Sequence, residues 1–97
     1  MSRVSGKPYF TYVLWSTAAR RFYIGISEDP QARLTQHNSS HAPSWTQRYR
    51  PWTLVHSELF ADYRSARLRE RELKAQKGGL GFFRKTGLNP ADFGRNA

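Results

Sequence analysis

A chain of 97 residues with 38% hydrophobic and 14% aromatic content has the length of one compact domain and enough large apolar side chains for a small two-layer core. It contains no cysteine, which excludes disulfides, zinc–thiolate sites and a cysteine nucleophile. Sixteen Lys and Arg, most of them Arg, against seven Asp and Glu leave a formal charge of +9, a balance that favours polyanionic partners and bidentate contact with phosphate oxygens.

In chain order, residues 1–7 are polar and expected to fray. No unbroken apolar stretch occurs in the first twenty residues, so neither a signal peptide nor a membrane span is expected and the cytoplasm is the default location. Tyr9 to Trp15 and Phe22 to Ile26 are rich in β-branched and aromatic residues, and residues 16–21 have hairpin-loop length, which predicts two antiparallel strands. Asp29-Pro30 marks a helix start, with Asp29 as cap and Pro30 at the first position, where its missing N–H costs nothing. That helix is predicted to run to Asn38, a residue tolerant of the left-handed conformation found at helix ends. Residues 39–44 read as a loop, Ser44 to Arg48 as a short helical turn before Pro51, and Thr53 to Phe60 as a third strand. Asp62 or Ser65 opens a longer helix to about Lys77, stopped by Gly78-Gly79. Leu80 to Lys85 gives a last helical turn or two, and the tail Asn89-Pro90-Ala91-Asp92-Phe93 is expected to lie back on the core through Phe93.

The order β-β-α-(α)-β-α predicts an α/β (α+β) fold, a small three-stranded, mostly antiparallel sheet flanked by helices. One domain is expected over residues 8–97, with a core at 8–77 and a C-terminal extension at 78–97.

Strand periodicity puts Phe10, Tyr12 and Leu14 on one face of the first strand. If Leu14 pairs with Tyr23, then Tyr12 faces Gly25, the two tyrosines lie diagonally on one face, and the glycine leaves space beside the phenol for a ligand or another backbone. Ordinary packing with hydroxyls reaching water explains the same two tyrosines. Arg33 and His37 are one helical turn apart and share a face, as a site would need or as a solvated arginine and a dipole-favoured histidine would also show. On the last long helix Tyr63, Ala66, Glu70, Leu73 and Lys77 form one stripe, so Glu70 is predicted to face inward or into a cleft. There it needs a cation, or a pair with Arg67 or Lys74. His41 and His56 have no ligand partner at metal spacing and read as surface or strand residues. Trp45, Tyr49 and Trp52, interleaved with Arg48 and Arg50, read either as base-stacking residues or as packing around Pro51.

Taken together these residues resemble a GIY-YIG nuclease domain. Phe10-Thr11-Tyr12 stands where that family has Gly-Ile-Tyr, and Tyr23-Ile24-Gly25 matches the second half of its name. Residues 30–38 are similar to its Arg-Leu-x-x-His-Asn helix, and residues 66–74 to the Ala-x-x-Arg-Glu-x-x-Ile/Leu-Lys run of its small stand-alone bacterial members. An asparagine used by larger relatives after the glutamate has no clear match; Asn89 is a distant candidate.

The resemblance implies metal-assisted phosphodiester hydrolysis. Glu70 would hold one divalent cation, Mg²⁺ or Mn²⁺; Tyr12 would be the general base, Tyr23 and Arg33 would orient water and phosphate, and His37 would support the phenol. Gly25, Arg48, Arg50 and Lys74 would contact substrate. The expected partner is nucleic acid, DNA rather than RNA, with the chain a monomer or weak homodimer and target choice left to a partner protein. The competing expectations are a nucleic-acid-binding module that keeps the fold without catalysis, and a basic protein-interaction domain.

Overall fold

The computed structural model describes residues 7–39, 44–77 and 79–94. Strands β1 (Tyr9–Ser16) and β2 (Arg21–Ser27) are followed by helices α1 (Pro30–Asn38) and α2 (Ser44–Arg48), strand β3 (Trp52–Phe60), helices α3 (Tyr63–Ala75) and α4 (Leu80–Thr86), and a short 3₁₀ helix, Pro90–Phe93. The sheet has the order β2-β1-β3, with both pairings antiparallel.

Because β1 is central, Thr11 to Ser16 are all buried and its alternation feeds two cores. Val13 and Trp15 point to one face, where they meet Phe22, Ile24, Leu73 and the rings of Phe82, Phe83 and Phe93. Tyr12 and Leu14 point to the other, against Trp52, Leu34 and Leu54. The hairpin register is the one assumed from the sequence, with Tyr12 opposite Gly25 and Leu14 opposite Tyr23. On the other side β3 slips: Val13 pairs with His56 but Leu14 with Leu54, so Val55 is an extra residue in a bulge. Val55 packs against the Val13 cluster while Leu54 joins the Tyr12 cluster.

The helix starts follow their caps. Asp29 accepts from the Ala32 N–H at 3.2 Å and Asp62 from the Ser65 N–H at 2.8 Å. The ends differ from expectation. Helix α1 is closed by Ser39 in an extended conformation, and Asn38 serves another purpose: its side-chain amide donates to the Trp52 carbonyl (3.0 Å) and accepts from the Trp52 N–H (2.6 Å). That amide fastens the end of α1 to the start of β3. Helix α3 stops at Ala75 with Gln76 as its cap, two residues short of Lys77; Gly78 lies outside the described residues. Helix α4 ends at Gly87, whose φ of 79° is the left-handed value a glycine adopts without penalty. Its Phe82 and Phe83, with Phe93 of the 3₁₀ helix, close the α3 face of the sheet. Among the described residues no helix is long and apolar enough to cross a membrane.

Candidate active site

Tyr12 is 1% exposed, yet its phenol reaches the lip of a cleft of about 610 Å³. What allows this is Gly25 across the strand pair. A Cβ built there would lie 2.7 Å from the Tyr12 hydroxyl oxygen and 2.9 Å from Cε1 of Tyr23. The glycine thus seats the two phenols, and the space expected beside them for a ligand is filled by the tyrosines themselves. Their ring centroids are 6.2 Å apart, and the Tyr23 ring packs against the imidazole of His37 at 4.6 Å with the planes inclined by 58°. Nε2 of His37 is 3.4 Å from the Tyr12 hydroxyl; its Nδ1 is buried without a hydrogen-bond partner.

Burial, followed by the neighbouring Tyr23 phenol, pushes the Tyr12 pKa well above the ordinary tyrosine value, with the Arg33 guanidinium opposing the rise. Burial and then Arg33 hold His37 below the ordinary imidazole value, so its ring is neutral at pH 7. The pair therefore holds a protonated phenol beside an uncharged imidazole. Arg33, one turn before His37, is exposed and lines the cleft, its Nη1 donating to Gln36 at 3.0 Å.

The cleft's other wall comes from α3. Glu70 lies on the buried stripe of that helix with Ala66 and Leu73, as its spacing required, and is 7% exposed. Both carboxylate oxygens are engaged, Oε1 by Nη1 of Arg67 at 2.6 Å and Oε2 by Nζ of Lys74 at 3.0 Å. The height of α3 above the sheet is fixed by Thr11, whose buried hydroxyl donates to the Ala66 carbonyl at 2.8 Å. Ala66 is one helical turn before Glu70, so a β1 residue adjacent to Tyr12 sets where the carboxylate sits. Neither Thr11 nor Arg67 was among the site residues read from the sequence. Spacing from Glu70 signalled Arg67, whereas a contact across 55 positions left no sequence signal for Thr11.

Tyr12, Tyr23, Gly25, Arg33, Arg67 and Glu70 line one cleft, with Tyr9 and Tyr63 at its rim in an edge-to-face pair 5.3 Å apart. Tyr63 leaves the inward stripe predicted for it and is half exposed there. Among the described residues no three His, Cys, Asp or Glu gather in a way that would hold a metal by protein ligands alone. A single buried carboxylate aimed at a roomy polar cleft fits a hard cation that keeps most of its water, such as Mg²⁺ or Mn²⁺, and does not fit a closed structural site.

The remaining sequence candidates lie elsewhere. Arg48 and Arg50 are exposed but are not cleft-lining residues; Arg48 and Arg21 lie over the Tyr49 ring, 5.9 and 5.2 Å from its centroid. Lys74 reaches Glu70 without lining the cleft. Trp52 is buried with its indole N–H donated to the Thr46 carbonyl at 3.0 Å, which makes it packing and removes it from base stacking; the Trp45 side chain lies outside the described residues. His56 does have a carboxylate partner, Glu58 at 2.6 Å, and Arg69 holds that same carboxylate at 2.8 Å. The group ties β3 to α3 and is structural; His41 lies outside the described residues. Asn89 accepts from the Ala91 N–H at 3.0 Å and caps the 3₁₀ helix.

A three-stranded sheet with helices on both faces, where the sequence suggested a two-layer core, carries paired strand tyrosines, a helical arginine and an inward glutamate on a basic chain, as a nuclease-like domain would. The chain belongs to the GIY-YIG family: the model of the GIY-YIG catalytic domain matches residues 8–80. It is 34% identical over 70 residues to a UPF0213 protein of Lacticaseibacillus paracasei, covering 72% of this chain and 78% of the relative. A UPF0213 protein of Natronomonas pharaonis is 31% identical over 67 residues, with 69% and 78% covered, and one of Staphylococcus haemolyticus 35% over 52 residues, with 54% and 63% covered. No solved structure matches the chain significantly. Membership implies a nuclease-like function on nucleic acid, in a family that generally uses a divalent metal.

Proposed function

We propose that this protein is a metal-dependent endonuclease that hydrolyses phosphodiester bonds in DNA. The observation that carries the reading is the common cleft: groups from β1, β2, α1 and α3 face one space large enough for a phosphodiester and a hydrated ion. Glu70 would hold Mg²⁺ or Mn²⁺, which when bound supplies positive charge against the scissile phosphate and the leaving oxygen.

The chain's own groups do the rest. Tyr12 accepts a proton from the attacking water while passing its own to the neutral His37, whose Nε2 faces the hydroxyl. That coupling suits a phenol whose burial opposes free ionisation. Tyr23 orients the water or a phosphate oxygen, and Arg33 clamps the phosphate across the cleft. Gly25 keeps both phenols seated, while Arg48, Arg50 and Lys74 give longer-range attraction to the backbone. Action in the cytoplasm, as a monomer or weak homodimer with targets chosen by DNA structure or by a partner protein, completes the reading.

A second reading, a nucleic-acid-binding module without catalysis, is favoured by the strongly protonated phenol and by a Glu70 already neutralised by two cations. A cleavage assay separates them, comparing the native chain with Glu70→Ala and Tyr12→Phe on single-stranded, branched and duplex DNA with Mg²⁺ or Mn²⁺. Cutting that depends on metal and on both residues is expected. Salt-sensitive binding without cutting would establish the module, and cutting that survives both substitutions would place the chemistry elsewhere.

A further inference from the structure

A divalent ion approaching Glu70 meets a carboxylate that already carries a cationic partner on each oxygen, and both partners repel it. Binding is eased when one of them leaves. Arg67 lines the cleft, and its side chain is 49% exposed, so it can swing without uncovering core. Lys74 is comparably exposed but lies outside the cleft lining. Arg33, the other cleft guanidinium, bonds the uncharged Gln36 and does not compete for the carboxylate. An arginine displaced into a cleft that holds a phosphodiester meets two oxygens matching its fork.

We propose that Arg67 is an exchangeable counter-ion: it holds Glu70 in the free protein and transfers to a phosphate oxygen of the nucleic acid when a divalent cation takes the carboxylate. The inference rests on the reading of Glu70 as the metal ligand. Lys74 stays on the second oxygen throughout and is a positioning residue. Exchange makes metal and nucleic acid help each other bind, and by linkage the gain is the same in both directions. It also keeps the free protein's metal site weak, since an ion binding there works against the guanidinium's charge. The nuclease would be loaded mainly when substrate is present to receive the arginine.

The test is calorimetric titration of Mn²⁺ at fixed ionic strength, with and without a short oligodeoxythymidylate, in a Tyr12→Phe background that leaves the oligonucleotide uncut. In that background the oligonucleotide is expected to tighten Mn²⁺ binding about tenfold, a typical coupling. Adding Arg67→Gln is expected to tighten Mn²⁺ binding to the free protein roughly threefold, weaken oligonucleotide binding, and cut the coupling by at least about half, with direct ion–phosphate attraction retaining the rest. Arg67→Lys should recover most of the coupling. A merely structural ion pair would give the opposite sign, because a misplaced Glu70 binds metal less well. Weakened or unchanged Mn²⁺ binding by the free Arg67→Gln protein, or undiminished coupling, overturns the exchange. Glu70→Gln separates the two levels of the argument. If it leaves Mn²⁺ affinity unchanged, Glu70 is no ligand and the exchange falls with it; if Mn²⁺ binding is lost there while Arg67→Gln behaves as a structural pair, only the exchange fails. Thermal unfolding by circular dichroism confirms that each variant is folded.

Discussion

Thr11→Val isolates the contact that positions the α3 wall of the cleft. The hydroxyl of Thr11 donates to the Ala66 carbonyl at 2.8 Å, and both residues are 0% exposed. Valine keeps the volume, so no cavity opens and the loss is one buried hydrogen bond, about 0.5–1.5 kcal/mol. The Ala66 carbonyl still faces the Glu70 amide within the helix, which puts the cost in the lower half of that range. At about 4–8 °C per kcal/mol for a domain of this size, the melting temperature should fall by roughly 2–8 °C. The larger effect is positional: released from Thr11, α3 can lift, and a shift of about 1 Å at a catalytic group costs up to about 10²-fold in rate. Far-UV circular dichroism gives the melting temperature, and a fluorescent-oligonucleotide cleavage assay over a metal titration gives the rest. A rate lowered about tenfold, a higher metal requirement and nucleic-acid affinity within about twofold of native are expected, since no cleft cation has been touched. Thr11→Ser keeps the hydroxyl and should restore the metal requirement. Native melting and native metal dependence in Thr11→Val would refute the assignment of Thr11 as the residue that sets Glu70.

Gly25→Ala should fold but lose on the order of 10²-fold in cleavage, because the new methyl displaces the Tyr12 and Tyr23 phenols; native activity would mean that neither ring needs its present place. The cleavage rate should rise with pH through the lowered pKa of His37 and then stay level to about pH 9. A tenfold gain per pH unit at the alkaline end would mean that Tyr12 ionises on its own. Since the folded-state pKa of His37 is depressed, its share of stability is fully present above the unfolded value of about 6.5 and is lost as pH falls from there through the lower folded-state value, which denaturant midpoints can follow. Phe93→Ala should cost about 3–5 kcal/mol, because the ring is buried 5.0 Å from both Trp15 and Phe22. Its kcat should be native wherever the variant is folded.

The parts of the fold readable in the sequence were those governed by neighbours along the chain. Alternation in Tyr9 to Trp15 and a short loop gave the two strands, and the register assumed for them, with Tyr12 opposite Gly25, is the one the hairpin adopts. Asp29 and Asp62 announced their helices because a cap acts within one turn. The stripe Ala66, Glu70, Leu73 pointed the glutamate inward because helical spacing is fixed. What stayed hidden joins distant positions: Thr11 to Ala66, the Asn38 amide to the Trp52 backbone, and Glu58 shared between His56 and Arg69. Asn38 shows how a right boundary can rest on a wrong cause, since its amide bridges to β3 and its backbone does not terminate the helix in the left-handed region. The bulge at Val55 was equally silent, because a single added residue leaves the composition of β3 unchanged. Arg67 was visible as a partner of Glu70, but only its place in the cleft gives that pairing a use.

Convergence of four elements on Glu70 is tested most directly by Mn²⁺-induced relaxation of side-chain NMR signals in the full chain, with Glu70→Gln as the control. The rings of Tyr12, Tyr23 and His37 and the Arg33 guanidinium should broaden together at low Mn²⁺ and remain sharp in Glu70→Gln. Broadening centred on His56 and Glu58, or unchanged by Glu70→Gln, would contradict a metal held in this cleft by that carboxylate.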